Sequence, residues 1–298
     1  MRYRNNRCIQ IFFAITLAVC LQSGLAGQTA GPDRVVVVPV ANMYSAATEN
    51  SDVVSQAIIG SNVVTLDVRD NWARVRTADQ YTGWMPGDTL RKLAESGAYA
   101  KSGQVVQVEA LFANLYGVTD VTSRKPVVTV PFESRLEVVG EGKGDDAGWL
   151  QVRLPDQHTA WIQSGDVNRD PQPLTIAQSS ALAKRFMGLP YLWGGRSSYG
   201  YDCSGFTQML VRSRGINMPR DADLQAAWDG VEPVDRKDLR PGDLLFFGQA
   251  ADKITHTAVY IGDGQFIHTT TNNHPVTQIS RLDDDPWTRL LVACRRVK

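Results

Sequence analysis

Cys203, followed by His256, His268 and His274, makes up the set of residues whose types and spacing could do chemistry. The cysteine stands in "YDCSGFTQML", Tyr201 to Leu210. Asp202 is a good helix N-cap residue, and Phe206, Met209 and Leu210 form an apolar face at i, i+3 and i+4. Cys203 is therefore expected in the first turn of a helix. The dipole and the free N–H groups there favour a thiolate and could hold a developing oxyanion. Ser204 and Gly205 are small enough to let a substrate approach. A cysteine in such a place can equally be a small core residue, so its company decides. A thiol nucleophile needs a base, and the base needs an orienting partner.

The histidines supply a candidate pair. In "THTAVYIGDGQFIHT" two alternating runs flank Gly262-Asp263-Gly264, which reads as a β-hairpin. A two-residue Asp263–Gly264 turn pairs Val259 with His268 and puts His256 on the opposite face. A three-residue turn pairs Ile261 with Gln265 and Ala258 with His268, and the two histidines then share a face as diagonal neighbours. Gly264 suits the left-handed position that closes such a turn, so the three-residue form is expected. Two histidines on one face could also bind metal. Without a suitably placed carboxylate or second thiol, a Cys-His-His arrangement is favoured over zinc, and no cofactor is expected. His158 falls in a turn of an earlier segment. His274, beside Pro275, reads as surface or pocket rim.

The elements that must position these residues occupy the rest of the 298-residue chain. Lys+Arg and Asp+Glu balance at 31 each, so there is no basic field for nucleic acid. "MRYRNNR" followed by "CIQIFFAITLAVCL" and "SGLAGQ" reads as a secretory signal peptide over residues 1–26, cut near Ala26–Gly27. The apolar run is too short for a stable membrane span. The exported chain would carry a net charge of −3 and lie in the periplasm, the cell envelope or outside the cell. A second reading makes Cys20 a lipidated first residue, although Val19 is branched where such a signal wants a small residue. Cys294, in "RLLVACRRV", reads as a core residue of a terminal strand, with a Cys203–Cys294 bridge as the alternative.

Two segments repeat. "ANMY" at 41–44 answers "ANLY" at 113–116, and Trp72 and Trp84 are twelve residues apart, as are Trp149 and Trp161. Both are runs of short strands, expected as small barrels closed to hide their edges. The units resemble bacterial SH3-like domains, over 33–95 and 104–168. "NRDPQPL" reads as a linker, and "IAQSSALAKRFMG" as a helix that opens a third domain over 174–298.

That third domain resembles the NlpC-type cell-wall cysteine peptidases through "YLWGG", "YDCSGFTQML", "MPRDADLQ", "PGDLLFF" and "THTAVYIGDGQFIHTT". The resemblance implies an α+β fold, a papain-like peptidase domain preceded by two small all-β SH3-like barrels. It makes Cys203 the nucleophile, His256 the base, His268 its orienting partner and Tyr191 an oxyanion-hole residue. His256 is expected to take the thiol proton before substrate arrives. Two SH3-like domains before the peptidase resemble a branch that cleaves γ-D-glutamyl–diamino acid bonds in peptidoglycan-derived peptides with a free L-alanine. On that basis Asp202 and Ser204 are expected at the ammonium and Arg220 as a fork on the D-glutamate carboxylate. Trp193, Tyr81 and Asp52 are expected as further pocket residues. Asp202 could instead be only a cap, Arg220 a loop anchor, and Tyr81 a packing partner of Trp84. The expected partners are peptidoglycan-derived peptides, met by a monomer. The rival readings are a wall-remodelling endopeptidase whose SH3-like modules are extended and detachable, and an amidase or acyltransferase on the same frame.

Overall fold

The structure, a computed structural model, describes residues 31–94 and 97–298. The expected signal peptide and Cys20 lie outside the described residues.

The two repeats fold alike, strand for strand. The first comprises β1 (Arg34–Val36), β2 (Val40–Tyr44), β3 (Val53–Ile58), β4 (Asn62–Arg69), β5 (Trp72–Arg76), β6 (Thr82–Pro86) and β7 (Leu90–Lys92). The second comprises β8 (Val105–Val108), β9 (Phe112–Tyr116), β10 (Val128–Pro131), β11 (Arg135–Glu141), β12 (Trp149–Arg153), β13 (Thr159–Gln163) and β14 (Val167–Asn168). Their strand orders, β3-β2-β6-β5-β4-β1-β7 and β10-β9-β13-β12-β11-β8-β14, are the same order seven strands on. The "ANMY" and "ANLY" motifs end on tyrosines that meet the first tryptophan of each repeat edge-on. Ring centroids are 5.5 Å apart for Tyr44–Trp72 and 5.7 Å for Tyr116–Trp149. Alternating small and branched residues fill each interior: Ala41, Met43, Ala73 and Val75 in one, Ala113, Leu115, Leu150 and Val152 in the other.

The third domain begins with α1 (Ile176–Arg185), closed at its start by a reciprocal Thr175–Gln178 capping box. A short ribbon, β15 (Arg196–Ser197) with β16 (Gly200–Tyr201), leads into α2 (Cys203–Arg212) and then α3 (Ala222–Ala226). An antiparallel sheet follows, in the order β17-β22-β18-β19-β20-β21. Its strands are β17 (Val231–Pro233), β18 (Leu244–Gly248), β19 (Ile254–Gly262), β20 (Gln265–Thr270), β21 (Val276–Arg281) and β22 (Leu291–Val297).

Alternation along β18 to β20 gives the sheet two apolar faces. Leu244, Phe246, Val259 and Ile267 pack under α1 and α2 through Leu182, Phe186, Phe206, Met209 and Leu210. Leu245, Phe247, Ala258 and Phe266 pack on the other side against Trp287, at the start of α4 (Trp287–Leu290), and Cys294. Cys203 and Cys294 are both free thiols.

The β19–β20 turn differs from the three-residue form. Asp263 and Gly264 both take positive φ, 52° and 72°, and Gly262 pairs with Gln265, so the turn has two residues. Ile261 is then skipped, and pairing resumes at Tyr260 with Phe266 and Val259 with Ile267. This bulge at Ile261 restores the register that the longer turn would have produced. Without it His256 would point away from His268.

Candidate active site

Helix α2 starts where the sequence places it. The Asp202 carboxylate accepts the Gly205 N–H at 2.7 Å and caps the helix, which leaves Cys203 as its first residue. The glycines permit a close approach: a Cβ on Gly205 would lie 2.2 Å from the Gly195 carbonyl oxygen. Cys203 is only 8% exposed.

The sheet opens to receive it. The β19–β20 ladder ends at Val259 and Ile267, although β19 reaches back to Ile254 and β20 on to Thr270. In this opening the Thr257 N–H approaches the Cys203 sulfur, as the Ser204 N–H does, and both favour a thiolate. Burial, reinforced by the Asp202 carboxylate, pushes the thiol up to about 12 against the pull of these donors. Burial pushes His256 down to about 3, and holds His268 well below the usual histidine range with help from the charge of His256. Each shift is in the direction of the uncharged form. The shifts of Cys203 and His256 both run against the early proton transfer expected from the sequence, and neither includes a contribution from the other group.

His256 and His268 meet as the diagonal register requires, with His256 Nε2 2.8 Å from His268 Nδ1. His268 Nε2 lies 3.0 Å from the Ser280 hydroxyl. Phe247, Phe266 and Trp287 pack around both rings. With Nε2 engaged, Nδ1 is the one His256 nitrogen left to exchange a proton with a thiol. Tyr191 is half-buried nearby. After burial, the Cys203 sulfur and then the Asp202 carboxylate are the groups that raise its pKa. The Cys203 N–H, in the first helical turn, has no intrahelical acceptor. His158 and His274 lie apart: His158 is exposed beside Asp156 in a turn of the second repeat, and His274 is exposed after the hairpin.

The Arg220 expectation changes. Arg220 is 2% exposed, and its guanidinium donors all end on protein. Nη1 and Nη2 grip the two Asp202 oxygens at 3.0 and 2.6 Å. Nη1 also donates to Ser204 Oγ at 2.7 Å, Nη2 to the Gly195 carbonyl at 3.3 Å, and Nε to Ser55 Oγ at 3.2 Å. No N–H remains for a substrate carboxylate. Arg220 instead fixes Asp202 and Ser204, and through Ser55 it holds the first repeat against the site. Asp202 is both cap and ion-pair partner.

Asp221, beside Arg220 in the sequence, was missed. It starts α3 without capping it, and its carboxylate lies near the Tyr81 hydroxyl of the first repeat, close enough for each to shift the other's titration. Burial, followed by the charge of Asp221, raises Tyr81 to about 12. Tyr81 thus reaches the Asp202–Arg220–Asp221 group rather than serving only to pack on Trp84. Asp52 is exposed, and its side chain makes no hydrogen bond or ion pair among the described residues. The next residue, Val53, packs on Gly194, and the adjoining Trp193 is 70% exposed at the rim. The charge of Asp221 next to Arg220 was the available signal. Ser280 offered none in sequence.

Comparisons with known proteins agree with this arrangement. Residues 188–296 match the profile of the NlpC/P60 family, 43–90 that of the bacterial dipeptidyl-peptidase Sh3 domain, and 96–168 that of the GW (Gly-Tryp) dipeptide domain. The chain is 40% identical over 252 residues to the γ-D-glutamyl-L-lysine dipeptidyl-peptidase of Bacillus subtilis, covering 81% of this chain and 80% of the relative. It is 34% identical over 230 residues to the protein of that name from Bacillus cereus, covering 72% of this chain and 66% of the relative. A crystal structure of a Bacillus cereus NlpC/P60 family protein superposes with a TM-score of 0.76 at 27% identity, over 89% of this chain and 99% of the other. The chain belongs to the NlpC/P60 family of cysteine peptidases, with an SH3 and a GW domain ahead of the peptidase domain.

Proposed function

We propose that the enzyme hydrolyses the γ-D-glutamyl–diamino acid amide of peptidoglycan stem peptides whose N-terminal L-alanine carries a free amine. One observation carries this reading: the first repeat is packed on the peptidase domain so that Tyr81 and Asp221 form a polar wall beside Cys203, Asp202 and Ser204. Asp202, Asp221 and Arg220 together leave this wall one net negative charge, which suits an ammonium ion, whereas an acylated alanine would bring no charge to it. The names of the two Bacillus relatives support the choice of bond. The wall-remodelling alternative needs extended, detachable modules. Ser55, Gln56 and Asp79 of the first repeat accept hydrogen bonds from Arg220 Nε, the Arg196 N–H and Gln208 Nε2 of the peptidase domain, which speaks against it.

The residues divide the work as follows. Nδ1 of His256 takes the Cys203 proton as the sulfur attacks the γ-carbonyl carbon. The Cys203 N–H and the Tyr191 hydroxyl donate to the oxyanion. As the tetrahedral intermediate collapses, His256 returns the proton to the departing diamino acid amine and a thioester on Cys203 remains. Water, deprotonated by His256, hydrolyses the thioester and restores the thiol. Trp193 and Asp52 would flank the entrance. The basic, apolar and small-residue order of the N-terminal segment supports export to the envelope or beyond, where such peptides are met by a monomer.

The test is cleavage of L-Ala-γ-D-Glu-diaminopimelate, of its L-lysine analogue, and of each with the alanine amine acetylated, followed by mass spectrometry. Cys203→Ala is the inactive control. Cleavage of the free peptides alone is expected, and Asp221→Asn should narrow the difference between free and acetylated forms. Equal cleavage of both forms would overturn the free-amine requirement.

A further inference from the structure

The two catalytic-site imidazoles face each other nitrogen to nitrogen across 2.8 Å, so a single hydrogen lies between them. Two arrangements satisfy that contact. In one, His256 Nε2–H donates to a bare His268 Nδ1, and His268 carries its own proton on Nε2. In the other, His268 Nδ1–H donates to a bare His256 Nε2, and the His256 proton sits on Nδ1. Burial lowers both rings and no acidic side chain contributes to either shift, so nothing nearby favours a second proton on either. The choice matters. A neutral His256 protonated on Nδ1 has no lone pair left for the thiol, because its remaining lone pair is in the contact with His268.

Nothing in the His-His contact itself selects the productive form. The selection has to come from the far side of His268. There Nε2 meets one polar side chain, the Ser280 hydroxyl at 3.0 Å, while Phe266 and Trp287 pack against the ring at centroid distances of 4.8 Å each. The register explains the meeting: His268 pairs with Gln278 and Phe266 with Ser280 on β21, which makes His268 and Ser280 diagonal neighbours on one face. Ser280 is only half-buried, so its own O–H can turn to water while its oxygen accepts.

We propose that Ser280 is a positioning residue of this site: its oxygen accepts the Nε2–H of His268, which bares His268 Nδ1, keeps the His256 proton on Nε2 and leaves His256 Nδ1 free for the Cys203 thiol. The donors then run in one direction, His256 to His268 to Ser280. When His256 gains the thiol proton on Nδ1, none of these hydrogens has to move. The inference rests on Cys203 and His256 being nucleophile and base.

The test compares the wild-type chain with Ser280→Ala and Ser280→Thr. Imidazole 15N shifts and their couplings to ring protons report the tautomers, and kcat and KM are measured on the free-amine peptide. Wild type should show both His256 and His268 protonated on Nε2. Ser280→Ala should mix the tautomers and lower kcat by about tenfold or more with little change in KM, as expected when a general base is partly in the wrong tautomer. Ser280→Thr, which keeps the hydroxyl, should restore both readouts. A wild-type spectrum with His268 protonated on Nδ1 would overturn the proposal, as would an unchanged kcat and spectrum in Ser280→Ala. The spectra need no substrate, so they judge Ser280 even if the peptide chosen is wrong. Full activity of Cys203→Ala would instead bring down the catalytic assignment.

Discussion

Burial and the Asp202 carboxylate favour the protonated form of Cys203 over the pull of nearby donors and of Arg220. The Thr257 and Ser204 N–H groups would stabilise a thiolate, yet burial outweighs them, and His256 is too poor a base in its buried setting to carry a stable positive charge. Alkylation by iodoacetamide reads this directly, since only the thiolate reacts. The rate at Cys203 should be low at about pH 7 and climb roughly tenfold per pH unit through about pH 9 to 11, in line with a thiol raised to about 12. A fast, flat rate between about pH 5 and 8 would reveal a preformed ion pair. Asp202 is the other residue with a sharp consequence. Asp202→Ala removes the α2 cap and strands the Arg220 charge, so a loss of about 3–5 kcal/mol in denaturant unfolding is expected. Asp202→Ala with Arg220→Met should recover part of it, because no charge is then left buried. The placement of Cys203 and Asp202 at the start of α2, and of His256 and His268 on one face of the hairpin, could be read from sequence because neighbours in the chain fix it. Ser55 and Ser280 could not, because their partners Arg220 and His268 come from other elements, and Asp221 left only its charge beside Arg220 as a signal.

At the scale of elements, the hairpin shows what sequence periodicity can and cannot deliver. Alternation in "THTAVYI" and "QFIHT" marks both strands, and the requirement for a shared histidine face selects the right register. The device that achieves it, a two-residue turn with a bulge at Ile261, is invisible to alternation, because an Asp-Gly pair and a Gly-Asp-Gly triplet are both good turns. The aromatic packing that fixes the histidine rings on this hairpin carries a stability consequence. The folded chain binds no proton at His256 until about pH 3, and His268 lies well below its usual value, while both take up protons near pH 6.5 when unfolded. Protons therefore favour the unfolded state in the window between these values. Stability should be fully present above about pH 6.5 and fall below it by roughly 1.4 kcal/mol per pH unit for each histidine. Urea unfolding of wild type and of His256→Gln with His268→Gln, followed from about pH 7 to 4, isolates this slope. The slope should flatten in the double variant, and an identical slope would place the acid sensitivity elsewhere.

Across the whole molecule, the two repeats are packed on the peptidase domain, the second into its core, rather than loosely attached to it. Phe132, from the second repeat, meets Phe186 edge-on at 5.4 Å and belongs to the core under α1 and α2. Glu133 pairs with Arg212 of α2, and Ile59 of the first repeat lies in the core of the second. Unfolding should accordingly be a single transition, and Phe132→Ala should lower stability by about 3–5 kcal/mol although it lies outside the peptidase domain. Asp79 ties this packing to the active site. Its carboxylate is held below the usual range, since Arg196 and hydrogen bonds from Thr77 and Gln208 together overcome the opposing effect of burial. Oδ2 accepts from Gln208 Nε2 on α2 at 3.0 Å and lies 3.4 Å from Arg196 Nη2. Two residues on, Tyr81 reaches Asp221. Asp79 touches neither the thiol nor the histidines, so its loss should move the pocket wall and spare the chemistry. Asp79→Asn keeps the hydrogen-bonding shape and removes the charge that pins the loop. It should raise KM for the free-amine peptide several-fold, leave kcat within about twofold, and shrink the preference over the acetylated peptide. If kcat fell while KM held, the first repeat would be acting on α2 and Cys203 rather than on the wall of the pocket.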